Sequence, residues 1–239
     1  MRPLLKTIFV AALLVAAGAI LGCGEQGPPP TPTPTPVDPE ALVRQASQAL
    51  GELDSFHFVL AHPEGGTPML EVLLIQDAEG DIVKPDRLAV EFGGVFGGNI
   101  YITASFISIG PDNFMTNPFS GAWERVPAEI NPIAFFSPER GITNIIAGIR
   151  RPEILDSDES GWRIAGLLPP QELGAIFGQT ISSDDESDWV SVELTLDADS
   201  YLLQSVQMEG RITPGEPPGT IREITLSGFN EPPEIEPPL

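Results

Sequence analysis

The sequence predicts an α+β domain in which a few amphipathic helices pack on a sheet of short antiparallel strands. Three observations predict it. From Ser55 onward apolar residues alternate with polar ones in many short runs, each closed by turn residues. Two longer stretches, near residues 42–50 and 142–149, carry apolar residues at helical spacing instead. And 41% hydrophobic residues accompany a net charge of −22, which marks a folded domain with an acidic surface rather than an acidic disordered tail.

Residues 1–22 lie outside that domain. Arg2 and Lys6 form a positive start, an Ala/Leu/Ile-rich run from Ile8 follows, and Gly22 is the small residue before a cut, so the segment reads as a secretory signal peptide. The only cysteine, Cys23, comes next. Ile20-Leu21-Gly22-Cys23 resembles the lipobox of bacterial lipoproteins, in which the cysteine receives a diacylglyceryl group and the leader is cut just before it. That resemblance implies an exported protein held by its acyl chains, palmitate among them, on the extracytoplasmic side of the cell membrane. Two chains suffice for stable anchoring, at about 0.8 kcal/mol per buried methylene. A transmembrane helix fits less well, because Gly/Pro-rich sequence begins too soon after the apolar run. One cysteine allows no disulfide within the chain, so the domain depends on its own core. Losing Arg2 and Lys6 with the leader takes the net charge from −22 to −24. Such a surface repels phosphate backbones and excludes nucleic acid as a partner.

Residues 23–37 are a lipidated cysteine and a Pro/Thr-rich linker. Pro28-Pro29-Pro30 and alternating Thr-Pro to Pro36 fix φ and remove donors, giving extended polyproline II. At about 3.1 Å per residue the linker spans roughly 40 Å as a semi-rigid spacer. Residues 38–239, about 200 residues, suffice for one large domain.

That domain opens on a helix. Asp38 caps it, Pro39 suits its first turn, and Glu40 faces its positive end. Leu42, Val43, Ala46, Ala49 and Leu50 make one apolar face, and Gly51 is the expected stop. Phe56, Phe58 and Leu60 then alternate with His57 and Val59 as a strand. Met69 to Ile75 is a second apolar run, and Gly80–Val83 and Leu88–Phe92 continue the series. His57 and His62 are the only histidines, and five residues apart they lack metal-ligand spacing. Val95 to Ile109 is apolar but flanked and broken by Gly93-Gly94 and Gly97-Gly98, which fits a long, curved strand pair. No lysine or helix start follows those glycines, so they are no phosphate loop.

Phe114 to Trp123 reads as strand, tight turn and strand, with Asn117-Pro118 and Ser120-Gly121 in the turn and Trp123 returning to the core. Pro132 to Phe136 is an apolar loop. Ser137-Pro138-Glu139 starts a helix whose Ile142, Ile145, Ile146 and Ile149 share one face. Glu153–Leu155, Trp162–Leu168, Trp189–Leu196, Leu202–Met208 and Ile221–Leu226 are strand-like, and Asp197–Ser200 is a hairpin turn. Asp184 to Asp188 is an acidic loop without the glycine and spacing of an EF-hand, and reads as solvated. Glu231 to Leu239 is Pro/Glu-rich, extended or frayed.

The order of these segments resembles the LppX/LprG family of bacterial lipoproteins and, more distantly, lipoprotein carriers of the LolA/LolB type. Four features carry the resemblance: the lipobox with a helix soon after it, the Gly110–Trp123 hairpin with its Thr-Asn-Pro-Phe-Ser-Gly-Ala-Trp turn, the Ser137-Pro138-Glu139-Arg140-Gly141-Ile142 helix start, and the run from Gly161 to Phe177, where a strand ends at Leu168-Pro169-Pro170 and a short helix carries Leu173, Ile176 and Phe177. The resemblance implies a strongly curved antiparallel half-barrel, with helices over its concave face enclosing an apolar cavity. It implies a lipid or lipoglycan ligand, carriage across the cell envelope, and an envelope transporter as a partner. The lining residues it points to are Val90, Phe92, Ile100, Ile102, Ile142, Ile145, Ile146, Ile149, Ile164, Leu173, Ile176 and Phe177; ordinary core packing is the competing role for each. The same fold also serves as a non-catalytic envelope sensor or structural module, which predicts a filled interior and a protein partner. An enzyme is not expected. There is no Gly-x-Ser-x-Gly elbow, no zinc-type histidine pair and no base placed by a nucleophile, and pairs such as Asp156 and Asp158 arise by chance in so acidic a chain. No cofactor or metal is implied.

Overall fold

The computed structural model describes residues 37–69, 72–127, 142–173 and 181–238. The leader, Cys23, the linker, the apolar loop at 132–136, the Ser137–Gly141 helix start, Ile176 and Phe177 lie outside the described residues. Residues 37–239 form one compact unit. Among the described residues every strand pairing and the buried core belong to this unit, and a compact unit with its own core is expected to fold by itself.

Helix α1 spans Pro39–Glu52, and the Asp38 side chain accepts a hydrogen bond from the Glu40 amide at 3.0 Å. Leu42, Val43, Ala46 and Leu50 are buried, while Ala49 is only half-buried. Gly51 is not the stop. The helix runs through it to Glu52, and the Lys84 ammonium donates to the last carbonyls, Leu50 O at 3.2 Å and Gly51 O at 2.8 Å. A cation there also meets the negative end of the helix dipole. The second helix, α2, covers Ile142–Ala147 among the described residues, and Ile149 lies beyond its end. Ser47 Oγ donates to the Thr143 carbonyl at 2.8 Å and ties the two helices together.

Twelve strands form one antiparallel sheet. They are β1 (Ser55–Glu64), β2 (Thr67–Met69), β3 (Leu73–Val83), β4 (Arg87–Phe96), β5 (Ile100–Ile109), β6 (Asp112–Thr116), β7 (Trp123–Val126), β8 (Arg150–Asp158), β9 (Gly161–Leu168), β10 (Val190–Asp197), β11 (Leu203–Glu209) and β12 (Ile221–Ser227). Their order is β7-β6-β5-β4-β3-β1-β12-β11-β10-β9-β8, with β2 paired to β3, so the sheet is open. Register shifts interrupt β1, β3, β8 and β10. Each such bulge bends its strand and deepens the local twist, which curves the sheet. Edge strand β8 is blunted by Pro152 and the charges of Arg150, Arg151, Glu153, Asp156 and Asp158.

Three further expectations change. Met69–Ile75 is not one strand: Met69 ends β2 and Leu73 opens β3, and β3 runs on without a break through Gly80–Val83. Trp123 is half-buried rather than in the core, because its position on edge strand β7 puts it on the face away from the helices. The C-terminal tail is not frayed at its centre. Ile235 is buried, and its carbonyl accepts from the Arg87 guanidinium at 3.1 Å. The Gly97-Gly98 pair does join two long strands, as a turn with φ of 59° and 83°, values that favour glycine. Gly94 lies so close to β3 that an added Cβ would sit 2.4 Å from the Leu74 carbonyl oxygen.

Candidate functional site

Strand register decides which side chains share a face. Across β1, β3, β4, β5 and β6 one row reads Phe56, Ile82, Leu88, Ser108 and Asn113, and the next reads Phe58, Gly80, Val90, Phe106 and Met115. A third reads Leu60, Ala78, Phe92 and Ala104, and beyond the β3 bulge come Ile75, Gly94 and Ile102, then Leu73, Phe96 and Ile100. No position in these rows is charged. On the other side of the same strands lie His57 with Asp81, Val59 with Glu79 and Glu91, and Ala61 with Asp77. The apolar face continues over β12, β11, β10 and β9 through Leu226, Val206, Leu194 and Ile164. It belongs to the same core as the buried residues of α1.

Of the residues predicted to line a chamber, Phe92, Ile102, Ile145, Ile146, Ile149, Ile164 and Leu173 are buried, and Val90 is half-buried against the core. Ile100 shares their face, but at the end of β5 it is 49% exposed. Nothing is described of the Ile142 side chain. Sequence reasoning passed over Phe58, Leu88, Ala104, Phe106 and Met115, although the same alternation marks them.

Two polar features interrupt the face. Asn113 is buried, and neither its amide nitrogen nor its amide oxygen has a hydrogen-bond partner. A buried amide left so costs about 1–3 kcal/mol. The second feature is an ionic cluster below β1, β2 and β12. Arg222 and Glu216 are both buried and meet at 2.5 Å. Arg222 also donates to Thr67 Oγ1 and the Gly210 carbonyl, each at 3.2 Å, and Glu216 accepts from the Ile212 amide at 2.7 Å. His62 completes the cluster. Its Nδ1 stands 2.9 Å from the Gln76 carbonyl, which can only accept, so Nδ1 carries the proton and Nε2 accepts from Thr67 Oγ1 at 2.9 Å. Burial, then the charge of Arg222, holds the His62 pKa below its usual value, against the opposing pull of Gln76, Glu216 and Asp77.

Two open grooves lie on the opposite face. One of about 590 Å³ presents Asp77, Glu79, Asp81 and Glu91 beside His57, and one of about 430 Å³ presents Arg151, Glu153, Glu193 and Glu209. Among the described residues no group of three or more His, Cys, Asp or Glu side chains is placed to hold a metal ion. His57 Nδ1 stands 2.9 Å from Asp81 and Nε2 3.4 Å from Glu79. No helix among the described residues is long and apolar enough to cross a membrane.

The family model of the LppX_LprAFG lipoproteins matches residues 38–235. The chain belongs to that family. Its fold is similar to LprF from Mycobacterium bovis, with a TM-score of 0.62 at 16% identity over 84% of this chain and 96% of that one. It is also similar to the Mycobacterium tuberculosis lipoprotein LppX, with a TM-score of 0.57 at 18% identity over 83% and 98%. A LolA superfamily protein from Nitrosomonas europaea aligns over 81% of this chain at a TM-score of 0.26. No curated protein sequence matches. The LppX_LprAFG fold explains the curved open sheet with few helices, which is the architecture the sequence resemblance implied.

Proposed function

We propose that this LppX_LprAFG lipoprotein binds the acyl chains of a lipid or lipoglycan against the apolar face of its sheet and carries them across the cell envelope. The observation that carries the reading is the uncharged face from β3 to β6, in a chain whose opposite face is acidic. Moving a sixteen-carbon chain out of water is worth roughly 12 kcal/mol at 0.8 per methylene, and a membrane offers about the same. Transfer between the two is therefore nearly neutral, as a carrier requires, and headgroup contacts set the direction. Asn113 supports this, because its free amide offers a donor and an acceptor to an ester or hydroxyl inside an apolar setting. Phe92, Ile102, Ile145, Ile146, Ile149, Ile164 and Leu173, with Val90 beside them, form the wall, and Ile100 sits at its rim. Cys23 carries the lipid anchor and the linker sets the reach. The protein works by shape and burial, without covalent chemistry.

The test is native mass spectrometry of residues 37–239 purified from a lipid-containing host, followed by organic extraction. Near-stoichiometric lipid, lost when Ile146→Trp adds bulk to the apolar wall at α2, supports the carrier. A mass without lipid and no uptake from added phospholipid overturns it and favours the sensor or structural module.

A further inference from the structure

Most of the exposed large apolar side chains of this domain gather at one corner. Among the described residues they are Val37, Val59, Val72, Ile100, Tyr101, Phe119 and Leu155, and four of these seven belong to adjoining turns and strand ends. Phe119 stands at the tip of the β6–β7 turn, 70% exposed, and its ring meets Phe96 edge-on at 6.0 Å. Phe96 pairs with Ile100 across the β4–β5 hairpin. Val72 accepts a hydrogen bond from the Gly97 amide of that hairpin at 2.8 Å. Single exposed apolar residues need no explanation, but a cluster does.

Charge follows the same outline. With 19% charged residues a twenty-residue stretch holds about four, yet residues 92–111 hold none, and residues 113–123 hold none either. These two stretches build the corner except for Val72, which follows Glu71 in the chain. Of the carboxylates on neighbouring strands, Asp77 accepts from the Tyr101 hydroxyl and Glu124 from the Asn117 amide. The turn that lifts Phe119 is closed on itself. Asn117 Oδ1 accepts from the amides of Phe119 and Ser120, Asn117 O from Gly121, Ala122 O from Asn117, and Ser120 Oγ from Ala122. Satisfied backbone groups enter an apolar medium at little cost.

We propose that this corner docks on a lipid bilayer, with Phe119 and Ile100 entering the interface and Tyr101 at its margin. The occupant is a lipid surface because the two stretches that carry Phe119, Ile100 and Tyr101 are apolar, aromatic, free of charge and internally hydrogen-bonded, while the chain as a whole is acidic. Aromatic rings favour that interface, and an acidic protein approaches a zwitterionic surface more readily than an anionic one. The inference goes beyond the carrier reading and does not depend on it, since a protein can dock without carrying.

Flotation of residues 37–239 with vesicles tests it. Binding to phosphatidylcholine vesicles is expected, with weaker binding to phosphatidylglycerol vesicles that strengthens as salt screens the repulsion. Phe119→Ser with Ile100→Ser should weaken binding about tenfold, the direction that loss of apolar burial dictates, with the melting midpoint unchanged. Leu155→Ser, an exposed apolar residue on another strand, should leave binding as it was. Absence of flotation by the wild type overturns the proposal, as does a double variant that floats equally well. So does a lipid-free dimer in sedimentation equilibrium that the double variant abolishes, because a second copy then occupies the corner. Lipid occupancy by native mass spectrometry on the same samples separates this failure from failure of the carrier reading.

Discussion

The two ends of the strands are built differently. At the end where β1 starts, polar groups lace the chain together: Asn230 Oδ1 accepts from the Asp54 amide at 2.7 Å, the Asn230 amide donates to Ser55 O, Lys84 caps α1, and Arg87 holds the tail at Ile235. At the other end the Gly97-Gly98 and Asn117–Gly121 turns reach into open space, with Ile100 and Phe119 exposed. One end spends its contacts on holding the fold. The other leaves apolar surface bare, which no stability argument explains. That end also carries the buried Arg222–Glu216 pair, tied to β2 through Thr67.

The sharpest way to break the contrast is at that cluster. Glu216→Leu leaves the Arg222 guanidinium buried without its carboxylate and should destabilise the domain by about 3–5 kcal/mol in urea unfolding. Adding Arg222→Met should recover most of the loss, since a buried ion pair and an apolar pair of like size differ little. A double variant as unstable as the single one would mean that Arg222 holds β2 and the Gly210 carbonyl in some way that charge does not capture.

Asn113→Leu comes next, with the opposite sign. Removing an unpaired buried amide should stabilise the lipid-free domain by about 1–3 kcal/mol in the same assay. Lipid retention should fall, because the unpartnered donor and acceptor that Asn113 presents on that part of the face are lost. At the laced end Asn230→Ala removes one hydrogen bond to Asp54 and one residue suited to a φ of 59°, for a loss of about 1–2 kcal/mol.

How much of this was legible in the sequence varies by element. The α1 face, the hairpins and the alternation of β10 and β12 could be read directly, because period and turn residues act locally. The split at Met69 and Leu73 could not, since an apolar run looks the same whether it is one strand or two. Nor could the burial of Ile235, which depends on Arg87 far away in the chain. The residues expected to line a chamber came from resemblance more than from spacing. Asn113 was missed because only the pairing of β5 with β6 sets this polar residue in an apolar row, beside Ser108.

The pH response isolates His62. Its folded-state pKa lies below the unfolded value near 6.5, so the unfolded chain binds the proton first. Stability is full above pH 6.5 and declines as pH falls through 6.5 toward the folded pKa. His62→Gln should flatten thermal midpoints between pH 7 and pH 5 relative to the wild type. The smallest effect belongs to the bare corner. Phe119→Ser and Ile100→Ser should each change unfolding free energy by less than about 0.5 kcal/mol, as exposed positions do.

The central claim, that acyl chains lie on the uncharged face, is tested most directly by photo-crosslinking residues 37–239 with a diazirine fatty acid and mapping the adducts by mass spectrometry. The account predicts saturable adducts on Phe92, Ile102, Phe106 and Ile146, displaced by unlabelled lipid. Adducts confined to the opposite groove, at Val59, Ala89 or Trp123, or labelling that never saturates, would contradict it.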